Sequence, residues 1–169
     1  MRGQLLLVAA GYAVVLAISA ALVFIRYMQY VEHPQDVAAA GGMYAGGDLI
    51  LEILIACMLL VPTFVLALVI RPSEELYTGY AKFLVGVSLT LPLCAGVSAL
   101  PAVNQGMSVW GEICMFRIFS SPFVIVGLGF SRVLARFDRA KRLTFYALLI
   151  EVLTLVFMVA MVVLRWTGH

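Results

Sequence analysis

Four ionisable residues fall inside or at the edge of stretches that are otherwise apolar: Asp48, Glu52, Arg117 and Glu151. A charge in the hydrocarbon core of a bilayer is expensive, so a residue of this kind implies a site, a partner or a proton path. Asp48 and Glu52 are four apart and share one helical face. Arg117 is the only basic residue well inside another apolar stretch, and it is the partner expected for them. Asp48 follows Gly46 and Gly47 and suits a helix N-cap, where the helix dipole favours an anion. Glu52 lies one turn further in, about 6 Å deeper, and cannot cap. It is open to three accounts: an ion pair with Arg117, an ion or substrate site, or a pair with another subunit.

Glu151 is the second candidate. The sequence offers it no cation at its own depth, so it is expected to be protonated. It could then relay protons or simply bond a hydroxyl such as Thr154, one turn on. Hydroxyls at comparable depth are Tyr12, Thr63, Ser88, Thr90, Ser120 and Ser121, near the level of Pro62, Pro92 and Pro122. A proline inside a membrane helix leaves a carbonyl without its helical donor, which such hydroxyls can satisfy. The face Ala147, Glu151, Thr154 and Met158 is expected to turn toward Thr63 and Ser120.

Other chemistry is poorly supplied. Cys57, Cys94 and Cys114 form no CxxC pair and read as small buried hydrophobes, with a Cys57–Cys94 disulfide left open. Glu32, His33 and Asp36 offer one imidazole and two carboxylates on a presumed loop, which fixes no metal geometry. No histidine pair suits a haem, no Ser/His/Asp set suits hydrolysis, and the Gly-Gly doublets lack a phosphate loop's context. No catalytic residue, metal or cofactor is expected, and an enzyme is the least favoured class.

The elements that must position these residues are membrane helices. The 169-residue chain is 64% hydrophobic and only 12% charged, about half the charge of a soluble domain. Its apolar runs predict an all-α integral membrane protein, a single bundle of about five transmembrane helices. The spans fall at about residues 4–25, 48–70, 80–103, 113–130 and 143–164. The first run is too long for a secretory h-region and is read as a span. Within it Ala9, Ala13, Ala17 and Ala21 form a stripe that would let another helix approach closely. Pro34 should end the first helix near His33, followed by a long loop to Gly47. The fourth span is the weakest, because it holds Arg117, Ser120, Ser121 and Pro122.

Basic residues set the orientation. With the N-terminus cytoplasmic, Arg2, Arg71, Lys82, Arg132, Arg136, Arg139, Lys141 and Arg142 fall inside, against Arg26, Arg165 and the buried Arg117. That asymmetry places the C-terminus outside, in a plasma membrane (the inner membrane of a bacterium). Trp110 and Trp166 then mark the outer boundary, and Tyr77, Tyr80 and Tyr146 the inner one. The cluster Arg132, Arg136, Arg139, Lys141 and Arg142 is the topology signal and also suits anionic lipid. A net charge of +2 gives no reason to expect nucleic acid. The expected role is a non-catalytic membrane subunit or oligomeric scaffold, as a homo-oligomer or within a larger complex. The alternative is a homo-oligomeric ion or proton channel, or a small transporter. It would use Glu151 with Thr63, Ser120, Ser121 and Thr154, and the Asp48/Glu52–Arg117 set.

Overall fold

The computed structural model describes residues 2–98 and 109–167, all of it helix and short connections. The order is α1 Arg2–Glu32, α2 Pro34–Ala39, α3 Gly41–Ile70, α4 Glu74–Ser98, α5 Val109–Phe119, α6 Ser121–Leu134 and α7 Asp138–Thr167. Four helices among the described residues are long and apolar enough to cross a membrane: α1, α3, α4 and α7. A fifth span exists if α5 and α6 count as one, bent by 50°. The end expected for the third span, residue 103, lies outside the described residues.

The chain divides into two compact units, residues 1–69 and 70–169. In the first, α1 does end at Glu32, one residue before the break that Pro34 enforces. The long loop expected after it is instead helical. Proline opens α2, where its missing N–H costs nothing, and α3 begins at Gly41. Asp48 therefore lies two turns inside α3 and caps nothing, which corrects the N-cap expectation. The alanine stripe is also turned outward: Ala9, Ala13, Ala17 and Ala21 are exposed. The inward face of α1 runs instead through Val8, Tyr12, Val15, Ser19, Leu22, Arg26 and Tyr30, a helical 3–4 repeat. On it Tyr12 donates to Thr63 Oγ1 at 2.7 Å, while the Thr63 hydroxyl donates to the Leu59 carbonyl. Gly11 sits opposite Pro62, where an added Cβ would meet the ring at 3.7 Å.

In the second unit α4 packs chiefly along α7, and also against α5, while α6 packs on α7. The seam is made of small side chains. Ala81 and Ser88 on α4 and Ala140, Thr144 and Ala147 on α7 are fully buried, which permits close backbone approach. At one end Tyr77 donates to the Ser131 carbonyl and Tyr80 to Ser131 Oγ, tying α4 to α6. Tyr77 is fully buried there. The break between α5 and α6 falls at Ser120, with Pro122 in the first turn of α6. Pro122 has no N–H for the Ile118 carbonyl and its ring crowds that turn, which accounts for the bend.

Candidate functional site

Glu151 is fully buried on α7. The break at Ser120 brings two groups to it, one from each side of the bend. From α5, Arg117 places Nη2 at 2.9 Å from Oε2 and Nη1 at 2.8 Å from Oε1. The second approach is an ion-pair contact without hydrogen-bond alignment. From α6, the buried Ser121 hydroxyl donates to Oε1 at 3.0 Å. Arg117 completes its set on α4, with Nε donating to Thr90 Oγ1 at 2.8 Å and Nη2 to the Val87 carbonyl at 3.1 Å. Thr90 donates to that same carbonyl at 2.6 Å. The Arg117–Glu151 pair thus ties together α4, α5, α6 and α7. The side chain of Arg117 is 13% exposed and that of Glu151 not at all.

This corrects two expectations. Arg117 pairs with Glu151 inside the second unit, a partner the sequence did not assign to it, and its Nη1 makes no hydrogen bond. Glu151 is accordingly no lone carboxylate, and its hydroxyl partner is Ser121. Thr154 instead donates to the Ile150 carbonyl of its own helix at 2.7 Å. Ser120 likewise bonds back, to the Arg117 carbonyl at 2.9 Å. Thr63 belongs to the Tyr12 contact of the first unit. Within the second unit, and among the described residues of the expected midplane set, Ser121 is the one that bonds Glu151.

The first unit has a second charge cluster that sequence reasoning missed. Arg26 Nε donates to Asp48 Oδ1 at 2.6 Å, Nη1 to Gln29 at 2.9 Å and Nη2 to the Tyr44 carbonyl at 2.7 Å. Tyr30 donates to the other oxygen of Asp48. The guanidinium also lies 5.1 Å from the Tyr30 ring centroid and 4.7 Å from that of Tyr44. Gly47 makes room for it, because an added Cβ would stand 2.9 Å from Nη2. The signal was present in the sequence: Arg26, Gln29 and Tyr30 share a face at spacings of three and four, as do Tyr44 and Asp48. Glu52, half-buried one turn beyond Asp48, has no hydrogen bond or ion pair among the described residues.

The basic cluster surrounds the turn from α6 to α7. Arg132 lies over the Phe145 ring at 4.5 Å and reaches toward the Lys141 carbonyl, while Lys141 stands 3.9 Å from Asp138. Arg136, Arg139 and Arg142 are exposed, with no carboxylate within ion-pair distance among the described residues. The three cysteines are free thiols. His33 and Asp36 are exposed and 3.9 Å apart, and no metal-ligand group of three occurs among the described residues. No known protein family, characterised protein or solved structure matches the chain.

Proposed function

We propose that the chain is an integral membrane protein of a plasma membrane, the inner one in a bacterium. Its N-terminus is cytoplasmic, its C-terminus lies outside, and it serves as a non-catalytic membrane subunit or oligomeric scaffold. The insertion follows from the helices long enough to cross and from the apolar side chains they expose, such as Leu6, Leu7, Phe24, Ile50, Phe83 and Phe157. The observation that carries the role is the closed polar set around Glu151. Both carboxylate oxygens are engaged by Arg117, and Ser121 adds a hydrogen bond, so the group is committed to holding four helices together. A carboxylate that relays protons must instead exchange partners during its cycle.

A second reading, a small channel or transporter, draws on the 50° break between α5 and α6. Transporters place binding groups at interrupted helices, and Arg117 and Ser121 flank this one. Proton entry into vesicles carrying an internal pH-sensitive dye separates the two readings. Parent protein and Glu151→Gln are compared under an imposed potential. A scaffold leaves both at the background rate of protein-free vesicles. Entry above background that Glu151→Gln abolishes establishes transport and overturns the scaffold.

A further inference from the structure

The face of α7 that carries Arg139, Arg142, Tyr146, Leu149, Leu153 and Val156 is exposed at every one of these positions. Their spacings of three and four put them in one line along the helix. Read from the α6–α7 turn, the line passes from two guanidiniums, through a tyrosine 56% exposed, to aliphatic side chains. That is the order of chemistry in a phospholipid: phosphate, ester and glycerol region, acyl chain. From Arg142 to Leu153 the helix rises about 16 Å, close to the thickness of one hydrocarbon leaflet. Among the described residues neither arginine has a carboxylate within ion-pair distance, and Asp138, exposed in the first turn, stands 3.9 Å from Lys141. Arg132 is already held over Phe145, so it belongs to the turn's own packing.

We propose that this line binds an anionic phospholipid, its phosphate on Arg139 and Arg142 and an acyl chain along Leu149, Leu153 and Val156. The occupant is a lipid rather than a soluble anion because the cationic end continues without interruption into an interfacial aromatic and an apolar track. Arginine suits the role because its planar fork grips phosphate oxygens in pairs. The inference rests on the membrane reading above and adds selectivity for headgroup charge.

The test uses the full chain purified in detergent, with retention of added phosphatidylglycerol or phosphatidylcholine read by native mass spectrometry. A chain that stays soluble and monodisperse without detergent would overturn the membrane reading itself, a result distinct from those that follow. The parent should retain phosphatidylglycerol in preference to phosphatidylcholine. Arg139→Gln with Arg142→Gln should weaken that retention about 25-fold, roughly fivefold for each basic residue. Arg71→Gln with Lys82→Gln removes the same charge away from the line and should change it less than about twofold. Circular dichroism confirms that each variant keeps its helices. Equal retention of the two lipids, equal effects of the two double variants, or displacement by millimolar inorganic phosphate would each overturn the proposal.

Discussion

The two Arg–carboxylate pairs among the described residues solve the same problem in opposite settings. Arg26 and Asp48 meet where α1 leaves its apolar run, with side chains 21% and 42% exposed. Arg117 and Glu151 meet inside the second unit, at 13% and 0%. At the first site the guanidinium has two tyrosine rings, a glutamine and a backbone carbonyl around it, and water can replace any of them. At the second, every partner is a fixed group on a packed helix. A pair that water can replace adds little, whereas a pair from which water is excluded becomes a structural requirement once it is made. The same residue types therefore act as a clasp in one unit and as a keystone in the other.

The strongest way to break this comparison is to remove one half of the buried pair. Arg117→Leu strands a fully buried carboxylate and should cost about 3–5 kcal/mol. Arg117→Leu combined with Glu151→Leu should recover a large part of that loss, since no charge is then left unpaired. Unfolding of the four proteins in detergent measures the coupling directly. Strict additivity would mean that the two side chains do not act on each other, and the keystone reading would fall.

How far these pairs could be read from the sequence depended on where each helix starts. The apolar runs revealed the helices, the stop at Pro34, and the fact that Arg117 and Glu151 needed accounts. The starts of the helices were misjudged, because each was begun at its first unbroken apolar residue. Counting from Ile113 puts Arg117 about 6 Å deep, whereas α5 begins at Val109 and adds another turn. α7 likewise begins at Asp138 rather than Leu143. With both helices started late, the register that brings Arg117 to Glu151 was missed. The bend at Pro122 was legible as a weakness in the fourth span, but its effect of presenting Arg117 and Ser121 to one carboxylate was not. In the first unit the error was one of propensity. Gly41, Gly42, Gly46 and Gly47 cost helix stability individually, yet the helix runs through them while Arg26 grips the Tyr44 carbonyl and the Asp48 side chain.

The exposed clasp should answer the matching substitution weakly. Asp48→Asn keeps a side-chain oxygen for Arg26 or Tyr30 but removes the charge, and with both partners partly exposed the loss should be about 1 kcal/mol. It should shrink further in high salt, because exposed pairs are screened. Arg117→Leu should show no comparable salt dependence, since its site excludes solvent. Thermal unfolding at low and high ionic strength checks both statements. A salt-insensitive loss of several kcal/mol at Asp48 would erase the distinction between clasp and keystone.

The smallest effect is expected at Glu52, and it sharpens the comparison by testing a carboxylate that has neither kind of support. It stands one turn from Asp48 on the same face, half-buried, with no hydrogen bond or ion pair among the described residues. Two like charges at this spacing repel by a few tenths of a kcal/mol, and an apolar environment penalises the carboxylate besides. Glu52→Leu removes both penalties and adds an aliphatic side chain to an aliphatic helix. Stability in detergent should therefore stay within about 0.5 kcal/mol of the parent, or rise. The measurement is thermal unfolding at two protein concentrations a hundredfold apart. A loss above about 1 kcal/mol would mean that Glu52 has a partner after all. Confinement of that loss to the higher concentration would place the partner on a second subunit, where the carboxylate would complete a third pair between chains.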